Sequence, residues 1–134
     1  MPLHASRYAT MLAERLSWHE TDCWLVNTGW TGGPYGTGHR MSIDLTRALL
    51  EAALDGSLAT RGFTPHPVFK VLVPLECGSV GGGVLDPRAT WVDCDAYDAA
   101  ARKLAGMFHE NFEQYAAHVA PEVVAAGPEP DAAA

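Results

Sequence analysis

Hydrophobic residues return at helical intervals in three stretches of the chain. Between Ser6 and about Trp18, the side chains of Tyr8, Met11, Leu12 and Leu16 share one face, while Arg7, Glu14 and Arg15 lie largely off it. The spacing predicts a helix, with the Ser6 hydroxyl as the expected N-cap acceptor for a free first-turn N–H. From Ile43 to Leu54, the positions Ile43, Thr46/Arg47, Leu50 and Leu54 mark a second helical side, with Leu49 and Ala53 beside them. Asp55-Gly56 predicts its end, because glycine accepts the left-handed backbone that closes helices. The clearest helix runs from about Asp95 to Tyr115. There Tyr97, Ala101, Leu104, Phe108, Phe112 and Tyr115 recur every three or four residues, and we read this aromatic stripe as core. Asp93 and Asp95 stand where acidic groups favour a helix start.

Two apolar stretches lack that period. Cys23-Trp24-Leu25-Val26 is a short run closed by the turn residues Asn27-Thr28-Gly29, and it reads as a buried strand. Phe63 to Pro74 is β-rich, but Pro65, Pro67 and Pro74 confine it to an edge or to short pieces. Gly78 to Gly83 reads as a flexible bend. After Pro121 the chain is rich in Ala, Pro and Glu, and disorder is expected beyond Gly127. No internal repeat is present. The pattern predicts the α/β class as a mixed α+β fold, with one domain over residues 1–120 and a short tail over 121–134.

The chain has 134 residues, 48% of them hydrophobic and 19% charged, enough for one core of its own. A net charge of −7 argues against nonspecific binding to nucleic acid or to an anionic membrane. Any phosphate site must therefore be locally cationic. No apolar run approaches the roughly 20 residues a membrane helix needs. Cys23, Cys77 and Cys94 form no CxxC pair, so reduced thiols and a cytoplasmic location are expected. Met1-Pro2-Leu3-His4 does not open a signal peptide. The six histidines show no HxxxH or HExxH spacing, and no GxSxG elbow exists.

From Thr28 to Arg40 the chain reads TGWTGGPYGTGHR, with five glycines at 29, 32, 33, 36 and 38. Glycine permits positive φ and lets a ligand approach the backbone closely. Gly33 to Gly38 has the G-x-x-x-x-G spacing of a phosphate loop, but His39 and Arg40 follow it. The lysine that reaches the β and γ phosphates and the hydroxyl that binds magnesium are both missing. The segment is expected to be a shaped, ordered loop serving another contact.

Taken whole, Trp24-Leu25-Val26-Asn27-Thr28-Gly29-Trp30-Thr31-Gly32-Gly33-Pro34-Tyr35-Gly36 closely resembles a signature run of ATP-dependent phosphoenolpyruvate carboxykinases. The likeness continues through Gly38, Arg40, Met41, Ser42, Ile43, Thr46, Arg47 and Ala48. Upstream it takes in Pro2-Leu3-His4 and Tyr8. Downstream it includes Pro67-Val68-Phe69, Val73-Pro74, Leu85-Asp86-Pro87-Arg88, Thr90-Trp91 and the helix holding Leu104, Ala105, Phe108, Asn111 and Phe112.

The resemblance implies the carboxy-terminal part of a mononucleotide-binding domain, with Arg40, Met41 and Thr46 holding the adenine end of ATP. The reaction it implies converts oxaloacetate and ATP to phosphoenolpyruvate, ADP and CO2, a step of gluconeogenesis. Family members also use Mg2+ and Mn2+; their phosphate loop, metal ligands and oxaloacetate-binding arginines lie upstream of the region matched here. Met1 then stands where the family chain would be mid-domain. A truncated, split or separately started product is expected, catalytically incomplete alone, with a separate polypeptide as its possible partner. The alternative is a noncatalytic nucleotide-binding or partner-docking module. Two departures stand out: His39 where the family usually has Lys, and Lys70 where a glycine commonly follows the Pro-x-Phe run.

Overall fold

A computed structural model describes residues 3–78 and 80–131. The chain runs α1 (Ala5–His19), β1 (Trp30–Thr31), β2 (His39–Arg40), α2 (Ile43–Leu54), a 3-10 turn (Leu58–Thr60), β3 (Phe63–Pro65) and β4 (Leu72–Pro74). Then follow α3 (Gly82–Leu85), α4 (Pro87–Thr90), α5 (Cys94–Ala116) and α6 (Pro121–Ala125). Helices and two small antiparallel sheets, β1-β2 and β3-β4, make the fold mixed α+β, as the sequence predicts.

The helix expectations hold with local corrections. The first helix begins at Ala5, and its N-cap is His4, not Ser6: the His4 ring accepts from the Ser6 N–H. No α1 residue is buried, so Tyr8, Met11 and Leu12 form an apolar face that is largely exposed. The second helix spans Ile43–Leu54 and is capped by Ser42, whose hydroxyl accepts from Leu45 N–H at 3.2 Å. Gly56 follows with φ 79°, the left-handed stop. Asp93 caps α5 by accepting from Ala96 N–H at 3.0 Å.

Two small apolar clusters hold these pieces. Ala52, Leu58, Cys77 and Val80 form one, against which Trp24 and Leu49 pack. Val68, Tyr97, Ala101 and Ala105 form the other, with Phe69 and Trp91 beside them. Of the α5 stripe, Tyr97 and Ala101 are core, Leu104 and Phe108 are exposed, and Phe112 and Tyr115 are half-buried, with the His4 ring 6.0 Å from that of Tyr115. The whole chain exposes 9674 Å², against about 6,800 Å² for a folded monomer of its mass.

Three further expectations change. Residues 23–26 are not a buried strand: they join no ladder among the described residues, and Leu25 is 85% exposed. A strand needs a neighbour for its backbone groups, and among the described residues none pairs with it. The bend after Gly78 is closed by a Cys77–Val80 bridge and leads into α3 at Gly82; Ser79 lies outside the described residues. The tail does not leave the body at Gly127. Glu129 N–H donates to Val68 O at 2.8 Å, and its carboxylate meets the Lys70 ammonium at 2.6 Å. The expected disorder at residues 132–134 falls outside the described residues.

Candidate nucleotide site

The glycine loop folds into a hairpin whose strands pair Trp30 with Arg40 and Thr31 with His39. Its tip is closed by the Pro34 carbonyl, which accepts from Thr37 N–H at 3.0 Å and from Gly38 N–H at 2.9 Å. Gly38 is required by close approach: a Cβ there would stand 2.5 Å from Gly33 O and 2.6 Å from Thr31 O. The close approach at Gly38 is made by the loop's own carbonyls, and its N–H turns inward, away from any anion. The hairpin is also tied to α4, because Gly32 N–H donates to Thr90 Oγ1 at 3.2 Å.

The hairpin delivers Arg40 directly to the head of α2. Met41 N–H donates to Gly29 O at 3.1 Å, locking the joint between the second strand and the helix. Arg40 is exposed, while Met41 and Thr46 are half-buried. The Thr46 hydroxyl donates to Ser42 O at 3.1 Å, back across its own helical turn.

Behind this joint lies an open, mostly apolar cavity of about 660 Å³. Met41 lines it together with Trp24, Trp30, Leu49, Phe63 and Trp91. Arg40 and Thr46 are not among its lining residues. The structure therefore brings Met41 and two tryptophans of the signature run to one wall, and leaves Arg40 and Thr46 outside it. Phe63 and Trp91 carry no local sequence signal for this role, since only folding brings them to Trp24.

A second cavity of about 310 Å³ is lined by His66, Asp86, Arg88 and Tyr97 among apolar and proline side chains. His66 Nδ1 accepts from Val68 N–H and Phe69 N–H, each at 3.2 Å. Its other nitrogen therefore carries the proton and donates to Tyr97 Oη at 2.8 Å. Burial lowers the His66 pKa, with the nearby Asp86 charge opposing, and burial raises that of Tyr97. No sequence motif announced this pair. Among the described residues no three His, Cys, Asp or Glu side chains form a metal-ligating group. None of the described helices is long and apolar enough to cross a membrane.

A sequence model described as phosphoenolpyruvate carboxykinase matches residues 1–82. The chain belongs to the phosphoenolpyruvate carboxykinase family. It is 54% identical over 129 residues to the phosphoenolpyruvate carboxykinase (ATP) of Chelativorans sp. (strain BNC1), covering 96% of this chain and 24% of that protein. The enzyme of the same name from Brucella suis biovar 1 (strain 1330) is 54% identical over 128 residues, and that from Thermus thermophilus is 52% identical over 128. In both, the match again covers 96% of this chain and 24% of the relative. The chain thus spans about a quarter of the length of these carboxykinases. The carboxykinase match takes in the hairpin, the joint at Met41 and all of α2.

Proposed function

We propose that this chain supplies the adenine side of the ATP site of a phosphoenolpyruvate carboxykinase, through Arg40, Met41 and Thr46. The observation that carries the reading is the rigid joint at Met41, where a hairpin of the carboxykinase signature run meets the capped start of α2. At such a joint the Arg40 guanidinium is free to lie flat on a purine. The Met41 N–H is already engaged by Gly29 O, so the backbone group left to read adenine is the carbonyl, which accepts from the exocyclic amine. The Thr46 hydroxyl donates to its own helix and keeps acceptor capacity for the base or ribose.

The reaction of the complete enzyme would be oxaloacetate and ATP to phosphoenolpyruvate, ADP and CO2. Phosphoryl transfer rests on alignment and charge neutralisation. The chain offers no phosphate-loop lysine after Gly38, where His39 and Arg40 stand. Holding a base without gripping phosphates gives no transition-state stabilisation, so this chain alone binds ATP or ADP without turnover. The second reading, a noncatalytic docking module, is favoured by the exposed apolar surface around Leu25 and Leu72.

ATP titration followed by tryptophan fluorescence tests the site, since Trp24 and Trp30 line the cavity with Met41. Arg40→Ala should weaken binding about tenfold, the scale of a partly desolvated cation–π contact. Identical curves for the two proteins would remove Arg40 from the site. Phosphoenolpyruvate formation from oxaloacetate and ATP should be absent; turnover by the chain alone would overturn its incompleteness.

A further inference from the structure

The turn between β3 and β4 is built around one side chain. Pro67 has no N–H, so the first donors after His66 are those of Val68 and Phe69, and both are given to His66 Nδ1 at 3.2 Å. The backbone closes the same turn: Lys70 N–H donates to His66 O, and His66 N–H to Val71 O, each at 2.8 Å. Val68 is fully buried, so its N–H finds no water while the turn is closed. The carboxy-terminal tail is fastened to this turn. Val68 O accepts from Glu129 N–H at 2.8 Å, and Lys70 Nζ donates to Ala125 O at 3.0 Å while pairing with the Glu129 carboxylate at 2.6 Å. Gly127, Pro128 and Pro130 are half-buried as a result. Val68 therefore joins two elements, its N–H held by His66 and its carbonyl holding the tail.

We propose that His66 is a pH-operated latch for the tail: its neutral ring closes the turn that holds residues 125–129, and a second proton on the ring lets them go. An imidazolium carries N–H on both nitrogens, so a protonated Nδ1 faces two donors in place of accepting from them. The buried Val68 N–H then regains a partner only if the turn opens to water. Opening displaces the Val68 carbonyl and Lys70 together, and these are the two points that carry the tail. Around the ring, Nε2 meets Tyr97 Oη of α5 at 2.8 Å and the Phe69 ring stands 5.0 Å away between centroids. Of the charges nearby, Asp86 of α4 favours the imidazolium, Arg88 is neutralised by Asp98, and Lys70 by Glu129. Burial outweighs Asp86 and holds the His66 pKa below its ordinary value of about 6.5. An opened turn returns the ring toward that value and so takes up the proton first. Tail docking is complete above about pH 6.5 and is lost as pH falls through the lower value of the closed turn.

The test is nitrogen NMR of the whole chain from about pH 8 to about pH 5, a range that stays above the carboxylate values near 4. The Glu129 amide should shift together with the His66 ring, with one midpoint below that of an exposed histidine. Its heteronuclear NOE should fall over the same range to that of a mobile tail. His66→Asn keeps a side-chain acceptor for the two N–H groups but cannot titrate, so its tail should stay ordered throughout. His66→Ala has no acceptor, and its tail should be loose already at about pH 8. The proposal fails if Glu129 stays ordered while His66 titrates, if His66→Asn loses its tail with acid as the wild type does, or if His66→Ala keeps the tail at the alkaline end. Helical circular dichroism should hold steady across the titration; its loss in step with the tail would mean that the whole chain unfolds and that no local latch exists. None of these readouts depends on ATP.

Discussion

Arg88 grips Asp98 with both prongs of its guanidinium, Nε to Oδ1 at 2.8 Å and Nη2 to Oδ2 at 3.0 Å, and so fastens α4 to α5. The pair sits at the edge of the 310 Å³ cavity, where Arg88 and Tyr97 line the wall. It belongs to the Asp-Pro-Arg run: Asp86 caps α4, Pro87 opens it, and Arg88 reaches the next helix.

Hydrogen bonding to Arg88 lowers the Asp98 pKa, outweighing burial. A carboxyl with a depressed folded pKa adds stability above its unfolded value of about 3.9, and that stability drains away as pH falls through the folded value. Arg88→Gln should therefore melt lower than wild type at pH 7. The gap should narrow progressively as the pH drops below about 4. Thermal melts followed by circular dichroism across that range check this; a gap independent of pH would show that the ion pair is not its source.

His66 carries the opposite charge logic with the same direction in pH. Its ring is held neutral, because Nδ1 faces two backbone donors and a proton there would meet them head-on. With the folded pKa lowered, stability is full above the unfolded value of about 6.5 and falls as acid protonates the unfolded state first. Nitrogen NMR should find the proton on Nε2 and a midpoint below that of an exposed histidine. Tyr97→Phe should cost about 1 kcal/mol by leaving that N–H without its acceptor.

Gly38 and Gly106 should respond oppositely to the same methyl group. At Gly38 the added Cβ collides with two backbone carbonyls, so Gly38→Ala should destabilise by about 1–3 kcal/mol and open the hairpin. Gly106, inside α5, has nothing within 4 Å of the built Cβ, and Gly106→Ala should stabilise by about 1 kcal/mol through helix propensity alone. Chemical denaturation of both variants measures the contrast.

Lys70 stands at φ 58°, the left-handed region that glycine enters without strain. A side chain there costs roughly 1–2 kcal/mol, while its exposed ion pair with Glu129 returns at most about 1 kcal/mol. Lys70→Gly should therefore raise the melting temperature slightly even as it loosens the tail. Faster amide exchange at Glu129, alongside equal or higher stability, is the expected result. A clear fall in stability would mean that the contacts of Lys70 with Ala125 O and Glu129 outweigh the strain.

Local rules sufficed wherever an element answers to its own neighbours. The helix Ile43–Leu54 with its Asp55-Gly56 stop, the Asp93 cap and the proline-limited hairpin of β3 and β4 all follow from short-range sterics and spacing. The carboxykinase likeness, too, was legible along Trp24 to Thr46, because that run keeps its residues in order. Tertiary structure alone decided what covers what. Trp24 and Trp91, far apart in sequence, share a cavity wall, His66 finds Tyr97, and the tail finds Lys70. The same dependence on distant partners left residues 23–26 without a ladder among the described residues and Leu104 and Phe108 of the α5 stripe exposed. Apolar spacing states which side of an element seeks burial, but whether that burial occurs depends on another surface being there to meet it.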